Sequence, residues 1–469
     1  MSQYDPNGGA SEPAGSPFAR RVPTVWWRRG VAVDSEASRA GLGTSSGKHV
    51  LSGIGVEGIE GIEGIEADRK VDYMTNTTVA ASEVDPFSRE FIDDPWSRLR
   101  ELRDLGAVVY LRTHNVWAVT RHAEVSAALR DHETFCSGAG VGLSDFRKET
   151  PWRPPSVILE ADPPQHTKAR KVLADVLSPA NVKVMGEAFT KCADDLVEPL
   201  VDAGEFDGVS GLARLFPLTV FPDAVGVTPN DRHHLIAYGN MVFNSFGPRN
   251  EFFDQGMAGM TETREWIMAQ CSRSALAPTG LGAQSYEAAD RGEITHDEAG
   301  LLLRSFLSAG VDSTIAAIGA ALWALASDPE QWTALRADPS LARAAFEEAI
   351  RWDGAIQTFF RTTTRPATIG QVTIPEGEKV LLLLAGANRD ERRFENPDVY
   401  DLRRRTVGHV GYGFGIHVCV GQVVARMEGE AVLGAVARHA REIELVGRPT
   451  RRYNNSIRSF ETLPLALRS

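Results

Sequence analysis

Cys419 lies in the stretch Tyr412–Gly421, YGFGIHVCVG, where three glycines and a histidine surround a single thiol. A run of helical character, QVVARMEGEAVLGAVARHA, follows at once. The glycines let a loop turn tightly and lie against a flat ligand. A helix start aims N–H groups and the positive end of its dipole at the sulfur, which favours a thiolate. A lone thiolate does not hold zinc or an iron–sulfur cluster, which take several cysteines. It does serve as the axial ligand of a haem, whose porphyrin supplies the other four bonds. The plain alternative is a buried, inert cysteine.

A second group is set into an apolar stretch. Thr295 and Glu298 form a capping-box pair and predict a helix start; Ser327-Asp328-Pro329 ends the helix after Ala326. Most of this helix is Leu, Ala, Val, Ile and Phe, which predicts burial almost all round. Into it are set Arg304, Ser305, Ser308, Asp312, Ser313 and Thr314. Residues 304, 308 and 312 are four apart, as are 305, 309 and 313, so they share one slowly drifting side. An unpaired buried polar group costs about 1–3 kcal/mol, and a charge more. The stripe is therefore expected to face a cavity holding water or a polar ligand. Gly310 leaves room for a flat ligand or for a local break in the helix. Serines bonded back to their own helix and a helix-end salt bridge are the plain alternative.

These elements belong to a large chain. Its 469 residues bury a substantial core. The net charge of −12 argues against nucleic acid and against an anionic membrane surface as partners. Cys136, Cys192, Cys271 and Cys419 are far apart and form no CxxC pair, which reads as reduced thiols in a cytoplasmic setting. The longest apolar stretch, residues 314–326, is too short to span a bilayer. Arg20 and Arg21 resemble an export signal, but no apolar segment of signal length follows. The first seventy or so residues are rich in Gly, Ser and Ala and contain the repeat GIEGIEGIE. Residues 1–84 are read as a disordered extension, with translation starting near Met74. From about residue 90 the pattern is mostly helical. Residues 108–121 read as two strands around a turn at His114–Asn115, and residues 367–390 as a second set. No GxGxxG is present, so no internal nicotinamide or flavin domain is expected. The predicted fold is mainly α with a small β portion.

Together the motifs resemble those of the cytochromes P-450. AGVDST (309–314) is similar to their oxygen-activating motif and YGFGIHVCVG to their haem-thiolate loop. EAIR, with Glu348 and Arg351, is similar to their ExxR pair. ADPPQHTKAR (161–170) is similar to their C-helix segment, and residues 388–404 to the meander before the haem loop. The resemblance covers residues 85–469 and implies one monooxygenase domain. Haem b would lie between a long central helix and the cysteine loop with the helix after it. It implies that Cys419 ligates the iron, and that His166, Arg170, Arg361 and His417 hold the propionates by charge-assisted hydrogen bonds. Glu348, Arg351 and Arg404 would form a structural network. Asp312 and Ser313, with Thr314 beside them, would relay protons to the oxygen being activated. Serine at 313 departs from the family's usual threonine; it keeps the hydroxyl but loses the methyl that restricts its rotamer.

Within the family the chain looks most like bacterial enzymes that O-demethylate para-substituted benzoates, through segments such as VGLSDF (141–146), WRPPSVILEADPP (152–164), VFNSFGP (242–248) and QTFFRTTTR (357–365). This likeness implies a substrate carboxylate near Arg153, Ser156, Arg304, Ser305 and Ser308. The ring would lie among Leu159, Phe243, Phe246, Ala309, Ile356 and Phe359. Dioxygen and a separate iron–sulfur ferredoxin with its NAD(P)H-dependent reductase are the implied partners. Lys168, Arg170, Lys171, Arg403 and Arg426 are the cations expected at a docking patch. The alternatives are a monooxygenase for a terpenoid, fatty acid or secondary metabolite, a peroxide-driven haem enzyme, and a non-enzymatic haem sensor.

Overall fold

The computed structural model describes residues 79–469. Most of the glycine-rich extension, with Met74, lies outside the described residues. At its inner edge the extension gives way earlier than residue 85. Ala81–Ser82 forms β1, paired in parallel with Tyr110 and Leu111.

The strands come from runs of β-branched and aromatic residues, which fit a pleated surface. After β1 come β2 (Val108–Leu111), β3 (Val116–Val119), β4 (Phe135–Cys136), β5 (Thr358–Thr363) and β6 (Lys379–Leu383). They form one sheet in the order β1-β2-β3-β6-β5-β4. The expected turn between β2 and β3 is present, with Asn115 at φ +52°, a conformation that asparagine tolerates better than most residues. β5 goes beyond the two strand sets expected, because Thr358, Thr362 and Thr363 are polar yet buried. It is antiparallel to β6, with Phe359 opposite Leu382 and Arg361 opposite Val380. Side chains alternate along a strand. Phe359 and Arg361 therefore share one face, while Phe360 enters a core cluster with Phe87, Leu381 and Leu383.

Helices make up the rest of the frame that holds the site: α1 (Gln165–Val176), α2 (Pro179–Ala203), α3 (Leu215–Val225), α4 (His233–Asn244), α5 (His296–Ala309), α6 (Asp312–Ser327), α7 (Ala342–Trp352) and α8 (Gln422–His439). α8 packs against α2, α7 and α6. The capping box at Thr295 and Glu298 is formed, with both of its hydrogen bonds. The run from α5 into α6 is long and apolar enough to cross a bilayer, but most of it is buried inside the protein.

The expected long helix is broken. α5 stops at Ala309 and α6 starts at Asp312, with Gly310 and Val311 between them. Gly310 has helical φ/ψ, so backbone freedom does not account for it. A Cβ there would lie 2.2 Å from the Phe221 ring of α3. The break divides the polar stripe between two helices.

Candidate active site

The cysteine loop owes its shape to its glycines. Gly413 and Gly415 have φ of +71° and +69°, where side chains are strained. A Cβ on Gly415 would lie 2.6 Å from the Leu129 carbonyl oxygen. The N–H of Cys419 donates to the Tyr412 carbonyl at 2.8 Å, which folds the loop back on itself. Its far wall rests on Glu347, which accepts from Arg426 Nε at 2.8 Å and from the Tyr412 hydroxyl at 3.2 Å. Cys419 opens onto an internal cavity ahead of α8. Burial pushes its thiol up, while the N–H groups of Gly421 and Gln422 and the charges of Arg170 and Arg426 pull the other way. The helix start thus eases the thiolate without outweighing desolvation, and a facing cation completes the balance.

His166, Arg170, Arg361 and His417 open onto the same cavity. The His166 and His417 rings lie 4.4 Å apart, and Nε2 of each is buried without a hydrogen-bond partner. Arg361, on β5, donates to the Phe360 carbonyl at 2.7 Å. Burial pushes the Arg361 guanidinium down to about 10. Burial and the Arg361 charge push His417 down to about 3. Two guanidiniums and open imidazole nitrogens crowd together here, with Asp162 offsetting part of the charge, and this donor set fits an anionic ligand. Beside a lone thiolate, they fit the propionates of a haem.

Opposite the cysteine loop, Ser313 and Thr314 line the cavity at the start of α6, and Ser308 and Ala309 at the end of α5. The Ser313 hydroxyl donates to the Ala309 carbonyl at 3.2 Å. In an unbroken helix that carbonyl would accept the N–H of residue 313. Asp312 does not line the cavity with them. It is turned toward α4 and the C-terminal region, with Oδ1 3.7 Å from Arg452. A Cβ on Gly239 would lie 2.4 Å from its Oδ2. Burial raises the Asp312 carboxyl, and Arg452 and Arg214 oppose that rise.

At the other end, Arg153, Ser156, Leu159, Phe243, Phe246, Ser305, Ile356 and Phe359 line the same cavity. Phe246 is central to the aromatic group, 5.7 Å from the Phe243 ring and 5.6 Å from the Phe359 ring. The Ser156 and Ser305 hydroxyls are 3.0 Å apart. Arg304 departs from the expectation. Its guanidinium donates to the Pro154 and Pro155 carbonyls at 2.7 and 3.2 Å and does not line the cavity. Arg153 is held by Glu160 through two hydrogen bonds of 2.9 and 3.1 Å, so its charge is matched. Glu160 stood in the quoted segment WRPPSVILEADPP, but its role depends on how that loop folds.

Glu348 is fully buried beneath the site. It accepts two hydrogen bonds of 2.7 Å from Arg351 and one of 3.0 Å from Arg404. Arg351 also donates to the Asn388 and Pro397 carbonyls, both at 2.9 Å. The three residues thus tie α7 to the segment leading into the cysteine loop. The expected basic patch is smaller than five cations. Lys168 is paired with Glu298, Arg426 with Glu347, and Arg170 donates to the Val418 carbonyl. Lys171 and Arg403 are exposed, Lys171 at 4.0 Å from Glu293. Glu428 was missed. It is fully buried on α8 and lines the cavity, and both its oxygens lack partners. Burial alone pushes its carboxyl well above the usual range. Its signal was an acid in the series Val424, Glu428, Val432, Val436, steps of four along one helix face.

A thiolate loop and a cationic, donor-rich pocket on one cavity, under a broken helix carrying hydroxyls, define a haem-thiolate protein. Comparison with known proteins gives its family. Residues 248–441 match the family model described as Cytochrome P450. Cytochrome p450 CYP199A2 of Rhodopseudomonas palustris is 51% identical over 82% of this chain and 93% of its own length. The beta-dihydromenaquinone-9 omega-hydroxylase of Mycobacterium tuberculosis is 32% identical over 82% of this chain and 78% of its own. Among solved structures, cytochrome P450 CREJ in complex with (4-ethylphenyl) dihydrogen phosphate superposes with a TM-score of 0.75 at 28% identity, covering 82% of this chain and 98% of that one. The chain belongs to the cytochrome P450 family and is a haem b monooxygenase.

Proposed function

We propose that this monooxygenase O-demethylates a small aromatic acid of the para-methoxybenzoate type. One observation carries the reading. A single cavity joins Cys419 to an aromatic group of Phe243, Phe246 and Phe359 and to an end built from Ser156, Ser305, Ser308 and Arg153. Charge supports it. Arg153 and Arg304 share the Glu160 carboxylate, which leaves one positive charge over, and the second terminal nitrogen of Arg304 makes no hydrogen bond. That end therefore carries net positive potential, which favours a carboxylate. The solved relative bound to (4-ethylphenyl) dihydrogen phosphate holds a ligand of the same plan, a para-substituted ring with an anionic end.

Bound haem supplies the activation of dioxygen and the transfer of one oxygen atom, and Cys419, His166, Arg170, Arg361 and His417 would hold it. The serine hydroxyls orient the carboxylate, and the phenylalanines hold the ring and exclude water, which is positioning used as catalysis. Asp312 takes protons from the Arg452 side and Ser313 passes them into the cavity, with Thr314 as the second hydroxyl. Hydroxylation of the methoxy carbon gives a hemiacetal, which collapses to the phenol and formaldehyde. Electrons come from a separate ferredoxin with its reductase, docking where Lys171 and Arg403 are exposed.

Titration of the holoprotein with para-substituted benzoates and cinnamates tests the reading. A blue shift of the haem band with para-methoxybenzoate, and none with camphor-like compounds, is expected; the reverse pattern would overturn the substrate class. Cys419→Ser is expected to lose the red-shifted ferrous–carbon monoxide band, and its survival would overturn the ligand assignment.

A further inference from the structure

Five asparagines meet behind the aromatic wall. Asn240 and Asn244 are on α4, Asn250 follows it, and Asn454 and Asn455 belong to the C-terminal region. Asn240 Oδ1 accepts from Asn244 at 3.0 Å and from Asn454 at 3.2 Å. Asn244 Oδ1 accepts the Asn455 N–H at 3.0 Å. The Asn455 amide donates to the Asn244 carbonyl at 2.9 Å, and its oxygen accepts from Asn250 at 2.9 Å. Asn244, Asn454 and Asn455 are buried. Space is reserved for them: a Cβ on Gly247 would lie 2.6 Å from the Asn455 side chain.

The cluster reaches both walls of the cavity. On one side, Asn244 sits between Phe243 and Phe246. On the other, Asn454 Oδ1 accepts the N–H groups of Ser456 and Ile457 at 2.9 and 3.0 Å. Ser456 then accepts the Gln357 N–H at 2.9 Å, and Ile457 bridges to Ile356. Ile356 and Phe359 are the facing wall. We propose that this amide cluster is a specificity-determining device that sets the spacing of the two walls between which the substrate ring lies. The asparagines touch neither substrate nor haem; they act through Phe243, Phe246, Ile356 and Phe359. Amides suit the task because they lock direction through donor and acceptor together and carry no charge into the cavity wall. The inference rests on the proposed aromatic-acid function for the identity of the ring.

The test uses haem-loaded Asn455→Ala, and Asn240→Ala as a milder variant on a helix where alanine is well tolerated. The expected result is full haem content with a roughly tenfold fall in discrimination between para- and meta-methoxybenzoate, since small misplacements of a reacting group cost one to two orders of magnitude. Amide hydrogen exchange is expected to rise together in residues 243–248 and 355–359. A lower melting temperature with unchanged discrimination and exchange would overturn the inference. If Asn455→Ala does not accumulate as holoprotein, Asn240→Ala decides the outcome by the same criteria. Wild-type protein that responds to no benzoate would count against the proposed substrate alone. Discrimination between 4-phenylimidazole and an ortho-substituted analogue then reads the wall spacing, because the imidazole binds haem iron whatever the natural substrate.

Discussion

Ser313 and Glu428 carry separate tests. The Ser313 hydroxyl donates to the Ala309 carbonyl at the break, so it is held at the cavity wall with its oxygen free to accept a hydrogen bond. Ser313→Ala is expected to raise the hydrogen peroxide released per oxygen consumed. Unchanged product yield per NADH would move the relay to Thr314. Glu428 is a different case, a carboxyl kept neutral by burial alone. Its folded pKa lies above the unfolded value of about 4.3. Between those values the unfolded chain is ionised and the folded chain is not, so stability falls as pH rises, by up to about 1.4 kcal/mol per unit. Glu428→Gln removes that slope. In urea unfolding of the holoprotein, the variant's advantage over wild type is expected to grow as pH rises above the unfolded value of about 4.3. A pH-independent difference would show that the carboxyl is ionised in the fold.

The broken helix shows what one element does for the site. The break lets α5 end with Ser308 and Ala309 on the cavity while α6 begins with Asp312 turned away and Ser313 turned inward. An unbroken helix would have kept Arg304, Ser308 and Asp312 close to one line. Phe221 occupies the space that a side chain at 310 would need, and it also lines the cavity. Gly310→Ala overpacks that contact, which typically costs about 1–3 kcal/mol. The expected result is lower stability in urea together with weaker benzoate binding. Lost stability with unchanged affinity would separate the packing of α3 from the shape of the cavity.

Across the whole molecule, the cysteine loop depends on segments far apart in sequence. Glu348 joins α7 to Arg404 and so to the segment that precedes the loop. Removing one partner of a buried ionic network costs about 3–5 kcal/mol, because the others stay buried and unmatched. Glu348→Ala is therefore expected to accumulate little haem-loaded protein, measured as haem per chain. Arg351→Ala added to it should cost less than the sum of the two single changes. Full haem loading of Glu348→Ala would remove the network from the proximal architecture.

The readable parts were those whose physics is local. The capping box at Thr295, the turn at Asn115, the glycines before Cys419 and the Glu348–Arg351 spacing each act within a few residues, so their identities and separations sufficed. The direction of each polar residue did not follow from spacing. Arg304 turns to two proline carbonyls, Arg153 to Glu160, and Asp312 toward Arg452. Each choice rests on a partner placed by folding, and for Asp312 also on the helix break beside it. Asn455 was silent for the same reason, and Glu428 showed only as an acid on an apolar helix face. An asparagine in a C-terminal segment and an acid on a helix reveal their roles only when distant chain closes over them, since burial and partner geometry arise from the packed whole.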